Sequence, residues 1–131
     1  MKKLSTLAVA LIAILAIGSV TTAMAVQSLA KKVPSKVTLS YTRAEGPYDQ
    51  SSFNGKVTAK KKVCRKGRKV IVKNANTGQT FGQAKTDRRG KYAISAGSGA
   101  TPRITYQATV KKKKVRKTVC KKAKSNKITV S

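Results

Sequence analysis

Thr86-Asp87-Arg88-Arg89-Gly90-Lys91-Tyr92 reads as a reversal of the chain that leads into a strand. Asp87 can accept backbone N–H bonds at the start of a turn, and Gly90 can take the left-handed conformation that returns the chain. Tyr92, with Ile94 two residues on, then opens an alternation of apolar and polar positions, which is the period of a half-buried strand. Asn74-Ala75-Asn76-Thr77-Gly78 is a second reversal, built from residues that tolerate positive φ. Turns of this kind, set between runs rich in Val, Ile, Thr and Tyr, point to antiparallel β structure.

The same pattern continues in both directions from residue 36 onward. It predicts strands at Lys36–Thr42, Phe53–Lys60, Lys69–Asn74, Thr80–Thr86, Lys91–Ala96, Ile104–Lys111, Val115–Thr118 and Lys127–Val130. No stretch beyond the N-terminus keeps a helical period. Strands spaced in this way suit a β-sandwich better than an α/β fold. Ala96–Pro102 reads as a glycine-rich loop, and Ala44–Ser52 as a Gly-Pro loop holding Glu45 and Asp49. The alternation assigns an inward face to Val37, Leu39, Tyr41, Phe53, Val57, Val70, Val72, Phe81, Ala84, Tyr92, Ile94, Ile104, Tyr106, Ala108, Val110, Ile128 and Val130. This is a modest core, with two Phe, four Tyr and no Trp in 131 residues.

The N-terminus has the layout of a secretory signal peptide over residues 1–25. Lys2 and Lys3 precede an apolar run from Leu7 to Ile17, and Ala23-Met24-Ala25 is a small-x-small cleavage site. The apolar run is short for a bilayer span, which needs roughly 17–25 residues; an uncleaved anchor is the alternative. Residues 26–35 read as a flexible leader and residues 36–131 as the β domain. The expected product is secreted and extracellular, with association to the cell wall as a further expectation.

Lys and Arg total 30 against three acidic residues, a formal net charge of +27. Self-repulsion at this charge opposes compaction. Cys64 and Cys120 are the only cysteines, and in an oxidising compartment they are expected to pair. Closing that loop stabilises by about 4 kcal/mol in the chain-entropy description. Two free thiols are the alternative. A metal site is not expected, because two isolated cysteines without histidine cannot supply four soft ligands.

Catalytic chemistry is poorly supplied, and no catalytic residue, cofactor or small-molecule substrate is expected. The chain has no histidine, so neither a Ser-His nor a Cys-His pair can form. Glu45 and Asp49 could at most contribute to a weak calcium site, and calcium takes six to eight oxygens; the simpler reading is two exposed loop acids. Asp87 is read as a turn residue together with Gly90. Ser28-Leu29-Ala30-Lys31 matches a Ser-x-x-Lys pattern but lacks partner motifs and is read as coincidence.

The chain also carries a set of spaced motifs. These are Phe53-x-Gly55-x-Val57, Cys64-Arg65-x-x-Arg68-x-Val70-x-Val72, Thr86-Asp87-x-x-Gly90-x-Tyr92, Tyr106-x-Ala108-x-Val110 and Cys120. Together they resemble the carboxypeptidase regulatory-like β-sandwich, a bacterial group related to the transthyretin-like and collagen-adhesin B-type modules. The resemblance covers roughly Ser52–Val130. It implies an all-β, seven- to eight-stranded Greek-key sandwich of Ig-like or prealbumin-like type in an exported bacterial protein. It implies folding, spacing or adhesion rather than catalysis. Adhesin relatives sometimes form an internal Lys–Asn bond beside a buried acid, but here no acid falls within a predicted strand, so Asn126 is not expected to form one.

Two basic tracts flank the cysteines. Lys60, Lys61, Lys62, Arg65, Lys66, Arg68 and Lys69 surround Cys64; Lys111, Lys112, Lys113, Lys114, Arg116, Lys117, Lys121, Lys122 and Lys124 surround Cys120. A Cys64–Cys120 bond would bring them together as one polyanion-binding pole; the alternative is a solvated face that serves only solubility. Lys outnumbers Arg 23 to 7 and no aromatics are interleaved, which argues against base reading and stacking. The expected partners are anionic cell-wall or surface polymers, with non-specific nucleic acid or anionic lipid as the alternatives, and the expected state is a monomer. A membrane-active cationic protein is the competing function, weakened by the lack of an amphipathic helix.

Overall fold

The computed structural model describes residues 30–97 and 99–131. The signal peptide expected over residues 1–25, and leader residues 26–29, lie outside the described residues. The strands are β1 (Lys31–Val33), β2 (Lys36–Val37), β3 (Ser40–Thr42), β4 (Ser51–Thr58), β5 (Lys69–Asn74), β6 (Thr80–Lys85), β7 (Lys91–Gly97), β8 (Thr105–Val110), β9 (Lys113–Val115), β10 (Thr118–Cys120) and β11 (Ala123–Thr129). A single 3₁₀ turn, Lys62–Cys64, lies between β4 and β5.

One four-stranded sheet has the order β11-β8-β5-β6. In a second, β4 is central, with β7 on one edge and β2 and β3 in succession on the other. A small third sheet has the order β1-β10-β9. The core lies between the two larger sheets. Val37, Phe53, Val57, Tyr92 and Ile94 come from one, and Val70, Val72, Tyr106, Ala108 and Val110 from the other. Phe53 is its centre: the ring meets Tyr41 at 5.1 Å, Phe81 at 5.0 Å and Tyr106 at 4.8 Å between centroids. Tilted and edge-on contacts of this kind match the ring quadrupoles as well as burying apolar area. The all-β class, the packed sheets and the Cys64–Cys120 bond therefore stand.

The two reversals form for the reasons their residues suggest. Asp87 Oδ1 accepts the N–H groups of Arg89 (2.8 Å) and Lys91 (2.9 Å), and Gly90 sits at φ +86°. Gly90 cannot be replaced without movement, because a Cβ there would lie 2.2 Å from the Val57 carbonyl oxygen. Asn74 Oδ1 accepts the N–H groups of Asn76 and Thr77, and Gly78 is again left-handed.

Several expectations need correction. The strand expected over Lys36–Thr42 is broken between β2 and β3. There Leu39 turns its N–H to Asn126 Oδ1 and its carbonyl to Asn126 Nδ2, each at 3.1 Å. Asn126 lies where the β11–β8 register shifts, between Lys124 and Lys127, so a bulge carries a side-chain amide across to the other sheet. The strand expected over Val115–Thr118 is instead a tight turn: Val115 and Thr118 face each other in register, and Arg116 is left-handed at φ 53°. A run of Lys, Val, Arg and Thr offers no Gly, Asn or Pro to mark that turn.

The leader is also partly structured. Lys31–Val33 is strand β1, and Val33 packs on Cys64 and Cys120 while its carbonyl accepts the Lys121 N–H at 2.9 Å. Phe81, expected inside, keeps 37% exposure and covers the core edge against Phe53 and Tyr106. Ile71 and Ala100 are buried although the alternation did not place them in the core. The Ala100 N–H is tied to the Tyr41 hydroxyl at 3.0 Å, which anchors the loop before β8.

Candidate functional site

The strand directions decide where charge collects. β4 runs from the Ala44–Gln50 loop to the 3₁₀ turn at Cys64. Its 8 residues separate those ends by about 26 Å at roughly 3.3 Å per residue. Glu45 and Asp49 lie in the loop at the start of β4, where Asp49 Oδ2 accepts the Gly46 N–H at 3.1 Å. The Cys64 tract, the turn after β6, the β9–β10 hairpin and the start of β11 all lie at the other end. Asp87 is the one acid on that side, and its Oδ1 is already engaged by backbone N–H groups.

The Cys64–Cys120 bond closes this pole, with both residues fully buried and Cα atoms 5.3 Å apart. The two tracts also touch directly: Lys113 Nζ donates to the Lys66 carbonyl at 2.8 Å, and the Lys111 N–H to the Lys69 carbonyl at 3.0 Å. Of the residues expected to bind polyanions, Arg65 and Lys113 are half-buried. Lys60, Lys61, Lys62, Lys66, Lys69, Lys111, Lys112, Lys114, Arg116, Lys117, Lys121, Lys122 and Lys124 are exposed.

Arg68 is a correction: it is fully buried and takes no part in any surface. Its Nη1 donates to the Cys64 carbonyl (2.7 Å) and the Ser35 hydroxyl (2.9 Å). Its Nη2 donates to the carbonyls of Lys111 and Lys121, both at 2.9 Å. Nε has no partner. Burial lowers the guanidinium pKa, but an arginine stays charged at neutral pH. Four chain segments thus converge on one cation whose counter-dipoles are three backbone carbonyls and one hydroxyl. Nothing in the local sequence separates this arginine from its exposed basic neighbours.

Thr86 locks the next piece in place. Its hydroxyl donates to the Arg65 carbonyl and accepts the Arg68 N–H at 2.8 Å; its own N–H donates to the Arg68 carbonyl at 2.9 Å. The Asp87–Gly90 turn is therefore clamped against the loop that carries Cys64. Gly90 closes the other side, its carbonyl accepting the Val57 N–H at 2.8 Å.

Between these pieces runs a groove of about 580 Å³ lined by Lys56, Thr58, Ala59, Lys62, Arg65, Arg88 and Arg89. Arg65 is held in its wall by Nε donating to the Ala59 carbonyl at 2.7 Å. A second groove, of about 600 Å³, is lined by Lys61, Lys62, Val63, Val115, Arg116 and Thr118. Lys62 lines both, so the grooves adjoin. Lys56, Arg88 and Arg89 were missed from sequence, because they sit in a strand and a turn remote from either cysteine. The Asp87–Gly90 turn signal was legible; its docking against the cysteine loop was not. A smaller hollow of about 300 Å³ at the opposite end is uncharged, lined by Asn74, Gln79, Thr80, Phe81, Thr101, Ile104 and Tyr106.

Among the described residues no three His, Cys, Asp or Glu side chains cluster, and no helix is long and apolar enough to cross a membrane. No protein-family model, characterised protein or solved structure matches the chain.

Proposed function

We propose that this protein is a secreted, non-catalytic interaction module whose basic pole associates electrostatically with anionic cell-envelope polymers. The observation that carries the reading is charge segregation. A disulfide and a buried arginine hold two lysine-rich tracts at one end of the sandwich, while Glu45 and Asp49 lie at the other. Repulsion within such a pole costs stability unless a partner neutralises it, so its concentration at one end favours a binding role over simple solubility. The disulfide is compatible with an extracellular location. The proposed kinship with carboxypeptidase regulatory-like sandwiches rests on the Thr86–Tyr92 turn and the two packed sheets.

The test is co-sedimentation of the full secreted protein with purified cell walls across a salt series. Retention at low salt that falls steeply as salt rises is the expected result, because exposed charges are screened within about 8 Å at physiological ionic strength. Absence of retention at low salt, or retention indifferent to salt, would sink the reading.

A further inference from the structure

Within the basic pole, the groove between the Asp87–Gly90 turn and the cysteine loop differs in composition from its surroundings. Three of the seven arginines in the chain, Arg65, Arg88 and Arg89, line it, whereas the rest of the pole is dominated by lysine. Lysine presents a strongly hydrated point charge; arginine presents a planar fork that matches an oxyanion with two parallel N–H bonds. The groove is also concave, with Thr58 and Ala59 among its lining, and no aromatic residue contributes to it.

We propose that this groove is a binding site for an extended phosphodiester chain that carries no bases, a polymer of alditol-phosphate type. The proposal rests on the polyanion reading above and names the ligand within it. Arg88 and Arg89 supply exposed forks from one wall, Lys62 and Arg65 face them from the loop, and Lys56 adds charge from β4. Arg65 already donates to the Ala59 and Lys60 carbonyls, which fixes its guanidinium and reduces the ordering cost when an anion arrives. The concavity favours a thin chain over a bilayer, which would meet only the rim. The lack of a stacking surface removes the term that single-stranded nucleic acids use. The adjoining groove past Lys62 extends the track toward Arg116, so affinity should rise with chain length.

The test is isothermal titration of a synthetic glycerol-phosphate oligomer into wild-type protein and two charge-preserving variants at about 0.15 M salt, where charges beyond roughly 8 Å are screened. R88K/R89K alters the groove, and R43K alters the opposite end beside the Ala44–Gln50 loop; neither changes net charge, and all substituted side chains are exposed, so folding is retained and is checked by circular dichroism. The expected result is an affinity loss of about 5–10-fold for R88K/R89K and less than 2-fold for R43K, since a lysine in the groove forfeits the bidentate contact while Arg43 lies outside the track. Equal binding by R88K/R89K and wild type would overturn the groove while leaving the polyanion reading intact. Absence of binding by wild type even at low salt would overturn both. Tighter binding of a carboxylate oligomer, or of single-stranded DNA with the same number of phosphates, would overturn the ligand assignment.

Discussion

Arg68 Nη1 donates to the carbonyl of Cys64 across 2.7 Å, so the residue that begins the disulfide loop also accepts a hydrogen bond from the buried cation beside it. The same guanidinium reaches Lys121, next to Cys120, at 2.9 Å. The covalent bond and the guanidinium therefore bridge the same two segments. This double closure holds together a pole that its own charge would otherwise spread.

Arg68→Lys should be destabilising although it keeps the charge. One ammonium cannot span the Ser35 hydroxyl and the Cys64, Lys111 and Lys121 carbonyls at once. A loss of about 2–4 kcal/mol is expected, and Arg68→Met, which strands all four acceptors, should lose about 3–5 kcal/mol. Urea denaturation measures both; a lysine variant as stable as wild type would show that the fork is dispensable.

Removing the disulfide with C64A/C120A should lower stability by about 3–4 kcal/mol, through the larger entropy of an unfolded chain freed from a long loop. The sequence separation is 56. The variant should retain strand signal by circular dichroism and lose affinity for anionic polymers, because the two tracts are then held only by non-covalent contacts. Unchanged affinity would show that Arg68 and the β9–β10 hairpin suffice to gather the charge.

Asp87 predicts an acid-sensitive limb of stability. Its carboxyl pKa is lowered, first by the Lys91 backbone N–H and then by that of Arg89 with the charges of both residues, against an opposing desolvation. Its folded value lies below the unfolded value. The stabilisation is present above the unfolded carboxylate pKa of about 3.9 and is lost as pH falls through the folded value. Thermal melts below about pH 5 should show this decline in wild type and a shallower one in Asp87→Asn, which keeps an acceptor oxygen but cannot titrate.

Asn126→Ala should cost about 1–2 kcal/mol by removing both amide bonds to Leu39. The diagnostic readout is hydrogen exchange at the Leu39 N–H, which should accelerate selectively while the β5–β8 amides stay protected. Asn126→Asp should not restore protection fully, since a carboxylate cannot donate to the Leu39 carbonyl.

Local chemistry was enough to read the strand alternation, the two reversals and the cysteine pairing. β5 (Lys69–Asn74) coincides with its sequence reading because Val70, Ile71 and Val72 form a β-branched run and Asn74 begins an Asx-type turn with its own side chain. Asp87 and Gly90 are legible for the same reason: the hydrogen bonds and the positive φ that define the turn lie within a few residues. Such features depend on neighbours in the chain, and a sequence displays its neighbours.

The tertiary structure alone decided the fate of the charges. Arg68 looks like Lys66 or Lys69 in the sequence, yet it is buried because carbonyls from Lys111 and Lys121, 43 and 53 residues away, converge on it. Leu39 leaves the strand ladder for an amide 87 residues away. Arg88 and Arg89 join the pole only because Thr86 and Gly90 clamp their turn to the cysteine loop and to β4. In each case, the partner that satisfies a polar group lies on a distant segment, and only folding brings that segment within hydrogen-bonding range.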